Sequence, residues 1–460
     1  MKKLLIILII FLSLFLITSC KEEEKRDEEI GEKKEDVVID TFFYGHDSKN
    51  NSELTYHFDQ SLFSVSNTVY NIEIAKLAFC LTSYTSCYTV YKEQYHEHFI
   101  EIYKDFDSYE MSEDILKKDR EDSFKWIISH KEFKDYTLLT FTSDGEYYYN
   151  QWINNLDFGL EDIHKEIYNL ATIAYQKLLD YIEKHHLSNI KLLLTGASRG
   201  GSISQVLTYL INNENNELIN KNNTYAYTFN APKVFRMEVD NSNYQNIISI
   251  VDPYDLVGEF FPKTFGFKPI GQEIVMYDEA KLEAIDDFND SFENQDFKSK
   301  VIVFNDFKFG IVDTGLTKEE SITKVVKDLT LNKETTEAIS FYQEKIFPIL
   351  KTLLTIFFDN MERFNNIKID SSLFINAITK GLISSSELAN YVANILNKYN
   401  IKNDKEELDD CLEKLYELIS IYNENDMLAP ILNDIYMLGQ NVNYLRMHHG
   451  NDCFYFYLFK

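Results

Sequence analysis

Ile190-Lys191-Leu192-Leu193-Leu194-Thr195-Gly196-Ala197-Ser198-Arg199-Gly200-Gly201 is the stretch on which the fold turns. Its first six residues are apolar or β-branched apart from Lys191, which reads as a buried strand. Ser202 to Leu210 reads as a helix. Between them lies G-x-S-x-G, a pattern that makes a tight strand-to-helix turn with a serine at its corner. The corner residue is held in strained φ/ψ, and side chains at the glycine positions would collide with the neighbouring strand and helix. The helix start places backbone N–H groups and the positive end of a dipole beside that serine.

Working outward, Tyr136 to Thr142 forms a second apolar, β-branched run that closes on the turn Ser143-Asp144-Gly145. A helix follows from about Leu160 to His186, with Ile163, Ile167, Leu170, Ala174, Leu178 and Ile182 on one stripe. Two further strands are expected at Thr224 to Phe229 and Ile247 to Val251. Strand, helix, strand, helix, strand is the order of an α/β fold with a mostly parallel sheet. Residues from about 60 to 100 carry a helical pattern and are expected to cover the core. Two possible strands, Glu273 to Tyr277 and Lys300 to Phe304, precede a region that is helical through about Leu438.

A serine used as a nucleophile needs a base, and the base needs an orienting acid. Asp255 lies in Val251-Asp252-Pro253-Tyr254-Asp255-Leu256-Val257, just past a strand, with Asp252 as the alternative acid. His449, with His448 as the alternative, stands near the C-terminus ahead of the run Phe454-Tyr455-Phe456-Tyr457-Leu458-Phe459. The chain order Ser, Asp, His is the order found in α/β hydrolases.

Several segments together resemble the class 3 lipase family, which includes the secreted fungal lipases. The family's D-W-x-x-N/D-L element is similar to Gln151-Trp152-Ile153-Asn154-Asn155-Leu156, and its G-x-S-x-G-G elbow to Gly196 through Gly201. Its Y-x-F-G-A-P-x-V strand is similar to Tyr227-Thr228-Phe229-Asn230-Ala231-Pro232-Lys233-Val234. Asp255-Leu256-Val257 with Pro262, and His449 followed by Phe454, complete the series. The resemblance implies an α/β-hydrolase fold with Ser198, Asp255 and His449 as catalytic residues and no cofactor. It implies an oxyanion hole from Arg199 and Ser143, and a lipid or acyl-ester substrate.

Departures accompany it. Thr142-Ser143-Asp144 replaces the family's R-G-T turn, which puts the side-chain oxyanion donor in question. Arg199 follows the serine; its side chain is left to a salt bridge or to a substrate carboxylate. The gap from Asp255 to His449 far exceeds the family's usual one, so a large, mainly helical insertion precedes the C-terminal His.

The N-terminus reads as an address. Lys2 and Lys3 precede the apolar run Leu4 to Ile17, and Ile17-Thr18-Ser19-Cys20 resembles a bacterial lipobox in which the cysteine is acylated. Residues 1–19 are thus expected to be a lipoprotein signal peptide and 20–40 a charged tether. Residues 41–265 are expected to be the hydrolase core, 266–440 the insertion or cap, and 441–460 a C-terminal core segment. The chain is expected to be exported and held to a bacterial membrane by lipid on Cys20. A net charge of −28 argues against nucleic acid as a partner, because phosphate binding needs clustered cations.

No CxxC pair or fixed-period repeat is present, and His96-Glu97-His98 lacks the H-E-x-x-H spacing of a helical metal site. Cys80 and Cys87, if on one helix, stand about 10 Å apart, too far to bond, so the cysteines are read as free. The competing reading is a surface lipoprotein that keeps the hydrolase fold for binding, favoured by the altered turn and the long insertion.

Overall fold

The first described strand begins at Asp36, inside the stretch expected to be tether. There β1 (Asp36–Tyr44) pairs antiparallel with β2 (Asn51–Asp59). Val37 and Ile39 are fully buried alongside Leu54, Tyr56 and Phe58, so an apolar alternation masked by neighbouring charges outweighs the charged run. The computed structural model describes residues 36–44, 51–87, 102–112, 125–143, 149–214, 216–252, 255, 258, 263–276, 300–305, 308–313, 318–360, 385–398, 401, 403–428, 430–431, 454 and 458–459. Cys20 and the segment expected to be a signal peptide, His96 to His98, and His448 and His449 lie outside the described residues.

Helix α1 (Ile72–Cys87) follows, its first turn capped by Asn71 Oδ1, which accepts from the Glu73 N–H at 2.8 Å. Cys80 and Cys87 share this helix, and Cys80 is buried, which pushes its thiol upward in pKa.

Seven strands form one sheet: β3 (Ser108–Met111), β4 (Trp126–Glu132), β5 (Thr137–Ser143), β6 (Ile190–Ala197), β7 (Thr224–Phe229), β8 (Ile247–Val251) and β9 (Gln272–Val275), in that spatial order. The pairs β3–β4 and β4–β5 are antiparallel, while β5 through β9 are parallel. The parallel pairs require crossovers. Helix α2 (Tyr149–Leu156) and α3 (Lys165–Lys184) join β5 to β6, and α4 (Arg199–Asn213) joins β6 to β7. This is the expected α/β-hydrolase fold with its mostly parallel sheet.

Period-2 alternation sorts the strands' side chains onto two faces. Leu139, Phe141, Leu192 and Leu194 pack toward α3 and α4, through residues such as Leu170, Leu178, Ile203 and Leu207. Leu138, Leu193, Tyr225, Tyr227, Phe229 and Ile250 face the other way, against the β1–β2 hairpin, α1, and Phe454 and Leu458 of the C-terminal tail. Burying each such side chain contributes about 1.5–3 kcal/mol, so both faces are needed to hold the sheet.

The core continues past its expected boundary at residue 265. Strand β9 extends the sheet parallel to β8, its apolar signal weakened by the alternating half-buried pattern of an edge strand. A separate hairpin, β10 (Lys300–Asn305) with β11 (Lys308–Asp313), comes next. Then come α5 (Lys318–Leu329), α6 (Thr335–Phe341), α7 (Phe347–Asp359), α8 (Ser385–Lys398) and α9 (Lys405–Glu424). Ile339, Leu350, Leu354 and Leu412 belong to the same hydrophobic cluster as α3 and α4, so these helices share the hydrolase core. One π-helical turn, Tyr342–Ile346, joins α6 to α7 and sets the Tyr342 ring 4.9 Å from Phe158 and 5.3 Å from Phe265.

Candidate active site

Ser198 sits at the corner between β6 and α4 with φ 53° and ψ −129°. That left-handed backbone is strained for a residue with a side chain and persists only where its surroundings enforce it. Here they do. The Ser198 N–H donates to the carbonyl of Phe229, the last residue of β7, at 2.9 Å, and the Ser202 N–H donates back to the Ser198 carbonyl at 3.1 Å. The Ser198 side chain makes no capping bond to α4. It is half-buried at the C-terminal edge of the sheet, with the positive end of a fifteen-residue helix behind it.

The flanking glycines have the steric reason expected of them. A Cβ at Gly196 would lie 2.5 Å from both the carbonyl carbon and oxygen of Gly200, and 2.8 Å from the Ser143 oxygen. A Cβ at Gly201 would lie 2.8 Å from the Ala231 Cβ and 3.0 Å from the Gly196 oxygen. Below the turn, small polar side chains let α4 lie close on the sheet. Ser202 Oγ donates to the Pro232 carbonyl at 2.8 Å, and Ser204 Oγ to the Thr195 carbonyl at 2.9 Å. Gln205 Nε2 reaches Thr228 Oγ1 at 3.1 Å and Ser249 Oγ at 2.9 Å, which ties α4 to β7 and β8.

Ser143, the expected side-chain contributor to an oxyanion hole, ends β5 beside the elbow. It is fully buried, and its hydroxyl donates to the Gly200 carbonyl at 2.6 Å, with Ser204 Oγ 3.2 Å away. The hydroxyl braces the elbow from below, and that bond occupies the proton an oxyanion would need. Sequence could not show this, because the partner belongs to the turn itself, 57 residues on.

Arg199 heads α4, next to the serine, and its side chain is 4 % exposed. Of the two roles left to it by sequence, the structure supplies the salt bridge: Nη2 lies 3.3 Å from Oε1 of Glu166, in the first turn of α3. Just before that turn, His164 is fully buried and its Nε2 donates to the Asn155 carbonyl at 3.0 Å. Burial, with lesser contributions from the Arg199 and Arg236 charges, lowers its pKa to about 4.

Asp252 and Asp255 follow β8 directly, and both are buried. The loop's backbone is fixed by Asn230, which stands just past β7 with φ 44°. The Asn230 N–H donates to the Ile250 carbonyl at 2.9 Å, and its Oδ1 accepts from the Asp252 N–H at 2.8 Å. The Asp255 N–H then closes onto the Asp252 carbonyl at 3.1 Å. Asn230 occupies the position where the family motif has glycine, and its positive φ is the physical reason for either residue there. β8 lies two strands from β6, about 10 Å away. Between them, Phe454 of the C-terminal tail seats its ring 5.1 Å from Phe229.

Chemically, this edge collects a strained half-buried hydroxyl, a helix N-terminus and two buried carboxyls on one side of a parallel sheet. The class 3 lipase family matches residues 141–265, the span from within β5 to just before β9. Among solved structures, the Rhizomucor miehei lipase in its native propeptide complex is similar at 19% identity, covering 34% of this chain and 54% of that one, with a TM-score of 0.28. The Rhizomucor miehei triacylglyceride lipase is similar at 19% identity, covering 34% of this chain and 63% of that one, also with a TM-score of 0.28. Lip2 lipase from Yarrowia lipolytica is similar at 14% identity over 52% of this chain and 83% of that one, with a TM-score of 0.31. The chain thus spans only 54% and 63% of the first two structures. No curated protein matches it.

Proposed function

We propose that this chain is a serine carboxylic-ester hydrolase of the lipase type, acting on acyl esters or lipids at a bacterial membrane surface. The observation that carries the reading is Ser198, held at φ 53° between β6 and α4 with its side chain left uncapped at the catalytic edge. His449 would take the Ser198 proton as the hydroxyl attacks the ester carbonyl. Asp255, buried at the end of β8, would hold the imidazole in the right tautomer and stabilise its charged form. Two features support this assignment. The distance between β6 and β8 is about that of an imidazole with a hydrogen bond at each nitrogen. Phe454, five residues after His449, packs on the strand between them.

The tetrahedral oxyanion would be met at the head of α4 by the backbone N–H of Arg199. Loss of the alcohol leaves an acyl-serine, which water attacks with His449 again as base, releasing the carboxylic acid and restoring Ser198. Acylation of Cys20 would hold the protein to its membrane.

Ser198→Ala should abolish hydrolysis of p-nitrophenyl acyl esters and labelling by a fluorophosphonate while leaving the fold intact. Full activity in that variant would sink the proposal. A second reading, a binding lipoprotein with an impaired site, draws on Ser143, whose hydroxyl is engaged by Gly200. That reading requires the wild-type chain to resist the fluorophosphonate.

A further inference from the structure

The hydrolytic cycle uses only the backbone N–H of Arg199, yet its side chain carries a full positive charge into the same corner. That side chain is 4 % exposed and belongs to the first residue of α4, directly after Ser198. Glu166, in the first turn of α3, meets its terminal Nη2 at 3.3 Å, the end of the side chain reached last from Ser198. Both α3 and α4 cross between parallel strands, so both turn their positive ends toward the catalytic edge. Arg236 brings a second guanidinium, stacked over the Phe267 ring at 5.2 Å and donating to the Gly159 carbonyl at 3.2 Å. The buried His164 ring registers both charges: burial first, then Arg199 and Arg236, lower its pKa to about 4. Meanwhile the hydroxyl expected to face the oxyanion is engaged elsewhere, because Ser143 donates to the Gly200 carbonyl at 2.6 Å.

We propose that the Arg199 side chain stabilises the oxyanion through its charge, in place of the Ser143 hydroxyl, and that Glu166 sets how much of that charge the oxyanion feels. This rests on the reading of Ser198 as the nucleophile. The guanidinium is covered and acts at a distance, without touching the substrate. Covalent geometry keeps it within about 10 Å of Ser198. At an effective dielectric of about 20, a unit charge that far from an anionic transition state changes a rate roughly tenfold. Negative charge reaches the ester's carbonyl oxygen only as Ser198 adds to the carbon, so the bound, neutral ester feels little of the field. Loss of the guanidinium therefore lowers kcat and leaves KM. Loss of the Glu166 charge unmasks the guanidinium and raises kcat. A pair that merely braced α3 against α4 would lower activity from either side.

The test compares the full chain with Arg199→Met, Arg199→Lys, Glu166→Gln and the Glu166→Gln/Arg199→Met double variant. Two rates are read: kcat on p-nitrophenyl butyrate and the second-order rate of fluorophosphonate labelling. Each is taken per active site, counted by the end point of labelling, at a temperature where circular dichroism shows the variant folded. Arg199→Met should lower both rates roughly tenfold with KM within about twofold of wild type. Arg199→Lys keeps the charge and should keep most of the rate. Glu166→Gln should raise both rates about threefold or more, and should do nothing in the Arg199→Met background. Rates that fall in both single variants, or that change in neither, overturn the proposal. Wild-type protein that resists the fluorophosphonate and leaves the ester intact overturns the hydrolase reading instead, and removes the inference by that separate route.

Discussion

Asn230 holds the end of β8 to the end of β7: its Oδ1 accepts the backbone N–H of Asp252 at 2.8 Å while its own φ is 44°. One residue therefore supplies both an acceptor and a left-handed backbone, and the loop carrying Asp255 hangs from it. Asn230→Gly keeps the conformation and loses only the acceptor; Asn230→Ala loses both. Denaturant unfolding should find the alanine variant less stable than wild type by about 2–3 kcal/mol. The glycine variant should lie between them. Esterase kcat should fall in both if Asp255 is the acid, since its loop loses its anchor.

Ser143 offers a way to separate a brace from a catalytic donor. Removing an oxyanion donor costs about a hundredfold to a thousandfold in kcat. Removing a buried hydroxyl that satisfies a carbonyl costs about 1–3 kcal/mol of stability. Because the Ser143 hydroxyl donates to Gly200, Ser143→Ala should lower stability by that amount. Its kcat on a short-chain ester should drop less than tenfold. A hundredfold loss with unchanged stability would restore the side chain to the oxyanion hole.

These two residues also mark the limit of what sequence could show. Strands β5 to β8 were legible almost residue for residue, because burial on both faces makes them continuous apolar runs. The glycine–serine corner was legible because its constraint is local. Strand β4 was not, since Ser129, His130 and Lys131 are polar and become buried only through distant partners. His130 Nδ1 lies 2.9 Å from Tyr181 Oη, and Lys131 Nζ 3.4 Å from Asp107 Oδ1. The grip of Asn230 on Asp252 spans 22 residues and that of Glu166 on Arg199 spans 33, beyond the reach of any local pattern.

Glu166 pairs with a nearly buried guanidinium one residue from Ser198, the proposed nucleophile. The carboxylate is about a quarter exposed, so the full penalty for breaking a buried pair is discounted. Glu166→Gln should lower stability by roughly 2 kcal/mol. Combining it with Arg199→Met should recover part of that, because the buried guanidinium that loses Glu166 is then removed as well. A double-mutant cycle by thermal unfolding decides it. Strictly additive losses would show that the pair is not coupled.

His164 sets a pH dependence. Its folded pKa is lowered to about 4, below the ordinary histidine value of 6.5, because burial disfavours the charged ring. The unfolded chain therefore takes up a proton first as pH falls. The contribution is complete above pH 6.5 and is lost between pH 6.5 and 4, at about 1.4 kcal/mol per pH unit and roughly 3 kcal/mol in all. His164→Asn should flatten the stability profile across that window. An unchanged profile would place the acid sensitivity elsewhere.

Tyr342 decides whether the C-terminal helices brace the hydrolase core or swing as a lid. Its hydroxyl donates to the Leu156 carbonyl at 3.1 Å, and the whole side chain is buried between Phe158 and Phe265. A lid that opens in turnover draws on weakly packed contacts. This contact is instead an aromatic cluster continuous with α3 and α4. Tyr342→Ala should therefore destabilise the entire chain by about 3–5 kcal/mol, as a large core truncation does. Tryptophan fluorescence and far-ultraviolet circular dichroism should then report one shared transition. A variant in which the helical signal melts first, with the sheet and esterase activity intact, would instead make these helices a detachable cap.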